Sequence, residues 1–301
     1  MNTEDNNRPK ATIKLLVETE KTDENTLFSV DQRDSGGKAS ISPQGTDHGG
    51  GSAADIFDRL AAANMLVPGS ALGQDYQDQY RRIKRPILSN AFGKTASLVE
   101  RGNLILVTSS VPGEGKTFTA INLALSIAQE KDKTVLLVDC DVARQGASRL
   151  LGVENKAGLV EVLEDRQMTI GEVLLNTDIE NLRVVSAGKH DEYITEMLSS
   201  RRMTELADEI VTRYSDRIII LDGPPLLSTP QTPILASLVG QVVFVVEAGK
   251  TSQVLVEDAL ELVPKEKATG IIMNKNQAAA VGGSGYYAYY GYSTDDKRNA
   301  K

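Results

Sequence analysis

The sequence predicts an α/β protein built on a doubly wound, mainly parallel sheet, on three observations. From Leu104 onward, short apolar runs alternate with longer amphipathic stretches, which is the pattern of successive βαβ units. The runs are apolar along their whole length, as strands covered on both faces must be. One strand–helix junction carries Gly113-Glu114-Gly115-Lys116-Thr117, a phosphate-binding loop of the kind such sheets place beyond the carboxyl end of a strand.

The chain divides into four stretches. Residues 1–52 are expected to be mostly disordered: from about Asp31 to Ser52 the chain is Gly, Ser, Asp, Gln, Thr and Pro, too little apolar surface to offset ordering entropy. Within them Ile13–Val17 reads as either a short helix or a strand, with no role assigned. Residues 53–100 read as a helical region. Asp55–Leu60 and the alanines after it predict a short helix ending before Pro68. From Gln74 to about Glu100 the spacing is helical, and Pro86 predicts a kink or a division into two pieces. Residues 101–281 form the P-loop domain, with strands expected at Leu104–Thr108, Val135–Val138, Leu182–Ser186, Ile218–Leu221, Val242–Val246 and Gly270–Met273. The helices between them are expected at Thr117–Glu130, Leu159–Glu164, Thr195–Tyr214 and Ser252–Val263. Residues 282–301 read as a mobile, tyrosine-rich tail.

The formal net charge of −8 argues against non-specific binding to nucleic acid or anionic lipid through the bulk surface. Proteins and nucleotides are the expected partners. The single cysteine, Cys140, excludes an intrachain disulfide framework and a cysteine-based zinc cluster; it reads as a small packed residue. His48 and His190 show no metal-ligand spacing. No apolar run reaches the roughly eighteen residues that cross a bilayer, and the start Met1-Asn2-Thr3-Glu4-Asp5 lacks the regions of a signal peptide. The expectation is a cytoplasmic protein that reaches a membrane only through a partner.

Strand Leu104–Thr108, the loop Ser109–Gly115 and the helix after it give the context a P-loop needs. Glycines let successive N–H groups face phosphate oxygens, and the helix N-terminus adds partial positive charge. Lys116 is placed to reach the β- and γ-phosphates and Thr117 to meet Mg²⁺. Ser110 stands where the strict pattern has its first glycine, and the plain alternative is a Gly-rich turn that only starts a helix. Two further strand ends carry acids, Asp139-Cys140-Asp141 and Asp222-Gly223-Pro224-Pro225. Magnesium takes oxygen ligands and keeps several waters, so these carboxylates can hold it directly or through water. The alternative is that each caps the next helix. Lys250 and Asn274 follow later strands, where a nucleotide contact and an ordinary loop role fit equally.

From about Ala53 to Tyr292 the chain resembles the bacterial tyrosine kinases, in which a P-loop ATPase related to the partitioning and septum-site ATPases acts as a protein-tyrosine kinase. Ser110–Phe118 is similar to the family's Walker A motif, Val135–Arg144 to Walker A′ and Ile218–Pro225 to Walker B. Glu196–Ser200, with Met203 and Leu206, looks like the helix before the Walker B strand. The resemblance implies an ATP site of Gly113, Glu114, Gly115, Lys116, Thr117 and Phe118, with Mg²⁺ held by Thr117, Asp139 and Asp222. It implies catalysis by Lys116, Asp139 and Asp141, the two aspartates activating the attacking tyrosine hydroxyl. Asp55–Pro68 followed by Tyr80–Pro86 is similar to the exosortase-associated exopolysaccharide autokinases, which implies a place in exopolysaccharide synthesis or export. The family's ring-forming Glu-x-x-Arg-x-x-Arg pattern matches Gln79, Arg82 and Arg85 with an amide for the acid, implying a homo-oligomeric ring with altered contacts. Ala143 stands where the family often has the first of two arginines. Members of this type need a membrane activator of the chain-length-determinant class, so such a partner at the inner face of the cell membrane is implied.

Five of nine tyrosines, Tyr286, Tyr287, Tyr289, Tyr290 and Tyr292, cluster among glycines near the C-terminus. A tail can carry a hydroxyl into line with a γ-phosphate where a packed tyrosine cannot, so these are the expected phosphoacceptors; the bland reading is an aromatic low-complexity tail. Arg81, Arg82, Lys84 and Arg85 fit a solvated helix face, a lipid patch or a subunit interface. Two rival functions are a partitioning-type ATPase switch, disfavoured by Val111 where those proteins have a lysine, and a non-catalytic ATP-binding assembly subunit.

Overall fold

The computed structural model describes residues 13–18, 54–69, 74–94, 96–191, 193–213 and 216–275. Its strands are β1 (Ile13–Glu18), β2 (Leu104–Ser109), β3 (Thr134–Asp139), β4 (Leu175–Asn176), β5 (Leu182–Val185), β6 (Arg217–Asp222), β7 (Gln241–Glu247) and β8 (Ala268–Asn274). They form one sheet in the order β1-β8-β7-β2-β6-β3-β5-β4. All pairings are parallel except that of β4 with β5. The helices are α1 (Ala54–Ala62), α2 (Gln74–Phe92), α3 (Lys116–Ala128), α4 (Gly146–Leu151), α5 (Leu159–Glu164), α6 (Ile194–Leu198), α7 (Arg201–Arg213), α8 (Gln231–Leu238) and α9 (Gln253–Glu261).

Side chains alternate across a strand, so the fully apolar runs feed two cores. Ile105, Val107, Val135, Leu137, Ile218, Ile220, Val243 and Val245 pack beneath α1, α2 and α3. Their neighbours Leu104, Leu106, Leu136, Val138, Ile219, Leu221, Val242 and Phe244 pack on the other face with α5, α7 and α8. The doubly wound parallel sheet expected from the sequence is thus the fold, and its six anticipated strands lie within two residues of their expected ends.

The register of β3 against β6 positions the chemistry. Asp139 pairs with Asp222, and Asp222 also pairs with Val107 of β2. Both acids therefore stand at the carboxyl edge of the sheet, next to the strand that runs into the phosphate loop.

Three expectations are corrected. Pro86 neither ends nor divides α2, which runs unbroken from Gln74 to Phe92. An internal proline costs about 3 kcal/mol, but Tyr80 and Ile83 before it and Ile87 after it are all buried in the first core. Thr195–Tyr214 is two helices, because Ser199 Oγ donates to the Thr195 carbonyl and Ser200 Oγ accepts from the Met203 N–H, capping α7. Lys84, read as part of a surface basic run, is only 7% exposed. It donates to the Ser126 carbonyl and pairs with Glu130, both at 2.6 Å, tying α2 to the end of α3. Ile13–Glu18, undecided between helix and strand, is the edge strand β1. The helices α4 and α8 had no counterpart in the sequence reading.

Asn122, in the middle of α3, fastens the N-terminal helices. Its Oδ1 accepts the Leu66 N–H at 2.8 Å, and its Nδ2 donates to the Phe118 carbonyl at 2.9 Å and approaches Met65 Sδ and Tyr76 Oη. Truncation strands a buried N–H, which costs about 2 kcal/mol. Asn122→Ala is therefore expected to lower the urea-unfolding free energy by about that amount, and an unchanged midpoint would refute this role.

Candidate active site

Between β2 and α3 the chain makes its turn at two glycines in the left-handed region, Gly113 at φ 89° and Gly115 at φ 93°. Gly115 has a second reason to be glycine, since a Cβ there would lie 2.0 Å from the Asn274 amide nitrogen. Glu114 between them is 1% exposed. Its carboxylate accepts the Val111 N–H at 2.8 Å and the Glu247 N–H at 3.3 Å, and also the Thr251 hydroxyl. Its side chain is thus a brace between the loop and the end of β7, so only its backbone is left for phosphate. Phe118, also expected at the cofactor, turns its ring into the first core, 6.4 Å from the ring of Tyr76.

Lys116 opens α3 and its Nζ pairs with Asp141 Oδ2 at 2.7 Å, with the Thr117 hydroxyl 3.5 Å away. Burial alone would lower the lysine's pKa, but the charges of Asp222, Asp141 and Asp139 outweigh it and raise it. Asp139 is held through both oxygens. Oδ2 accepts from the Ser148 N–H at 2.8 Å and hydroxyl at 2.7 Å, and Oδ1 from the Asp141 N–H at 3.1 Å. The capping and site readings of Asp139 therefore meet in one residue, since Ser148 lies in the first turn of α4. Gly146, at the start of α4, lets that helix come close, as a Cβ there would lie 2.9 Å from the Thr117 hydroxyl. Asp222 is fully buried with the Thr117 hydroxyl beside it, and at ordinary hydrogen-bond geometry neither carboxylate oxygen has a partner.

Burial pushes Asp139 up to about 6 against the bonds from Ser148. Burial likewise pushes Asp222 up to about 7, with the Lys116 charge and the Thr117 hydroxyl opposing and the Asp139 charge adding. Cys140 between the acids is a buried, packed thiol, as its neighbours suggest, and burial raises its pKa well above the usual value.

Among the described residues no group of three or more His, Cys, Asp or Glu side chains is arranged to hold a metal alone. Magnesium carried with a nucleotide does not need one, because it keeps waters and takes phosphate oxygens. The two unpartnered oxygens of Asp222, beside the Thr117 hydroxyl, fit such an ion. Asp139, with both oxygens engaged, fits an outer position reached through water.

The structure thus gathers Lys116, Thr117, Asp139, Asp141 and Asp222 at the loop. Gln79, Arg82 and Arg85 lie on α2 at a spacing that shares one face, with both arginines exposed. The tyrosines of 286–292 lie outside the described residues. Reading the sequence leaves Asn274 undecided between a nucleotide contact and a loop role and misses Lys275; both donate to loop carbonyls, and the brace of Glu247 and Thr251 is missed too. The one available signal was a polar pair, Asn-Lys, at the end of a strand.

A carboxyl whose pKa is higher folded than unfolded keeps a proton that the unfolded chain has released. Its stabilising effect is present in acid and is lost as pH rises through the folded value. For Asp222 that window runs from the ordinary carboxylate range to about 7. Asp222→Asn is expected to raise the melting temperature of the nucleotide-free protein at pH 8 by a few degrees and to leave it nearly unchanged at pH 5. An equal shift at both pH values would contradict the charge argument.

Residues 102–268 match the family model described as an AAA domain. The chain is 32% identical over 212 residues to the tyrosine-protein kinase YwqD of Bacillus subtilis, covering 70% of this chain and 85% of that protein. It is 28% identical to the putative tyrosine-protein kinase CapB of Staphylococcus aureus over 71% of this chain and 90% of that one. Against the tyrosine-protein kinase ptk of Acinetobacter johnsonii, 30% identical, it spans 25% of the longer chain. Among solved structures, the chimerical protein CapA2B2 aligns at a TM-score of 0.60 with 25% identity, over 71% of this chain and 90% of that one. The kinase domain of Escherichia coli ETK aligns at 0.62 with 21% identity, over 93% of this chain and 95% of that one, and shares the fold. With the phosphate loop and its three buried aspartates in place, these similarities put the chain in the family of bacterial tyrosine-protein kinases, built on an AAA-type P-loop domain.

Proposed function

We propose that the protein is an Mg·ATP-dependent tyrosine autokinase that phosphorylates the tyrosines of 286–292 and thereby regulates the synthesis or export of an exopolysaccharide. The observation that carries the reading is the convergence of Lys116, Thr117, Asp141 and the unpartnered Asp222 on one phosphate loop.

In this reading the N–H groups of 113–117 and the Lys116 ammonium take the phosphates. Thr117, Asp222 and Asp139 would hold magnesium, and the ion would supply charge neutralisation on the phosphate oxygens. When Lys116 leaves Asp141 for the nucleotide, that carboxylate is free to accept the proton of an incoming tyrosine hydroxyl. The tyrosine oxygen forms a bond to the γ-phosphorus, the bond from that phosphorus to the β–γ bridging oxygen breaks, and ADP departs. Most of the rate comes from positioning and charge rather than covalent chemistry.

The exposed arginines of α2 support a subunit contact, and the likeness to the CapA2B2 chimera supports a second polypeptide as activator. No described helix is long and apolar enough to cross a membrane, so a membrane partner of the chain-length-determinant class would bring the protein to the inner face of the membrane. The similarity of Asp55–Pro68 and Tyr80–Pro86 to the exosortase-associated autokinases supports that setting.

The test is phosphotyrosine detection and mass spectrometry on the purified chain with Mg·ATP, with and without an activator tail. Phosphate on the tail tyrosines is expected, reduced at least a hundredfold by Lys116→Met, and abolished when all five tyrosines become phenylalanine. ATP hydrolysis without phosphotyrosine under every condition would replace the kinase by a switch ATPase.

A further inference from the structure

Two consecutive side chains at the end of β8 hold the outer side of the phosphate loop. Asn274 Nδ2 donates to the Glu114 carbonyl at 2.8 Å, and Lys275 Nζ to the Gly113 carbonyl at 2.6 Å. Neighbours on an extended strand point to opposite faces, so aiming both at one loop needs a change of direction. Lys275 supplies it with φ 57°, a left-handed conformation uncommon outside glycine. Asn274 is buried, and its amide occupies the space that a Cβ on Gly115 would need.

In a trans peptide the C=O and the N–H point in opposite directions. The Gly113 carbonyl shares its peptide plane with the Glu114 N–H, and the Glu114 carbonyl shares its plane with the Gly115 N–H. Bonds that turn both carbonyls toward β8 therefore turn both N–H groups to the opposite side of the loop. Glycines at positive φ have many alternatives to this arrangement, and a carbonyl in such a loop has no helix or sheet partner of its own. The same two bonds remove both difficulties. The ammonium on the Gly113 carbonyl also polarises that peptide, making its N–H a stronger donor. Lys275 is held in turn by Glu247 at 3.6 Å, whose backbone N–H bonds the Glu114 carboxylate.

We propose that Asn274 and Lys275 are positioning residues for the phosphate loop, which fix the Gly113–Gly115 peptides with their N–H groups facing the nucleotide phosphates before nucleotide arrives. The proposal rests on the reading of this loop as the Mg·ATP site. It places a determinant of phosphate affinity more than a hundred and fifty residues beyond the loop in sequence.

Calorimetric titration of the full chain with Mg·ATP tests it, using Asn274→Ala, Asn274→Asp, Lys275→Met and Lys275→Arg, with Lys116→Met as a control on the site and a thermal melt for each. Loss of one such hydrogen bond is expected to weaken Mg·ATP about tenfold in the two Asn274 variants and in Lys275→Met. Lys275→Arg, which keeps a charged donor, is expected to bind within about threefold of wild type. A merely structural role would instead lower the melting temperature of both Lys275 variants alike, with no rescue by arginine, and would overturn the proposal. Wild-type affinity in folded Lys275→Met and Asn274→Ala, with binding lost in Lys116→Met, would also overturn it and leave the site reading standing. Failure of the wild-type chain to bind Mg·ATP would remove both. Should the Asn274 variants not fold, the Lys275 pair decides alone.

Discussion

One buried lysine faces three buried carboxylates, and much of the structure follows from holding them together. The register of β3 on β6 sets Asp139 beside Asp222, and the turn after β3 brings Asp141 to 2.7 Å from Lys116. Charges taken out of water are tolerated only when compensated, and a single ammonium does not compensate three acids. The surplus negative charge suits a site whose ligand arrives with its own cations. Two apolar cores, one on each face of the sheet, keep the strand ends rigid enough to maintain this unfavourable arrangement until then.

Helix α3 links that site to the rest of the molecule. Lys116 and Thr117 open it, Phe118 and Asn122 receive the N-terminal helices, and the Ser126 carbonyl receives Lys84. The same α2 that carries Arg82 and Arg85 on its surface, and Gln79 half-buried, therefore rests, through Tyr80, Ile83 and Lys84, on the helix that begins at the phosphate loop. Any displacement of α2 would be felt along α3, because close-packed interiors transmit strain.

What was legible in the sequence was what depends on local pattern. Uniformly apolar strands and a glycine loop before a helix declare themselves in a few residues each, so the fold class, Lys116, Thr117 and the strand-end aspartates could be named. What depends on packing could not. Pro86 carries a strong local signal against a continuous helix, and only the burial of Ile83 and Ile87 overrides it. Ser199 and Ser200 look like ordinary helix positions until their hydroxyls bond the backbone. Glu114 sits inside a nucleotide motif, yet its side chain serves β7, whereas Asn274 and Lys275 sit outside every motif and serve the loop. Such partnerships span distances in sequence at which no spacing rule operates.

Strand β1 has a consequence for how the chain is made. Ile13 lies opposite Thr269, so among the described residues the first strand in chain order pairs with the last. At about 5 to 20 residues per second, the intervening chain takes on the order of ten to fifty seconds to synthesise. Throughout that interval the apolar segment Ile13–Val17 has no strand to join, and β7 stands as an open edge on the growing sheet. Unpaired edges recruit other strands, and pairings of such long sequence separation close late. The β1 segment of a nascent chain is thus in need of chaperone protection until synthesis has passed β8 and that edge of the sheet can close.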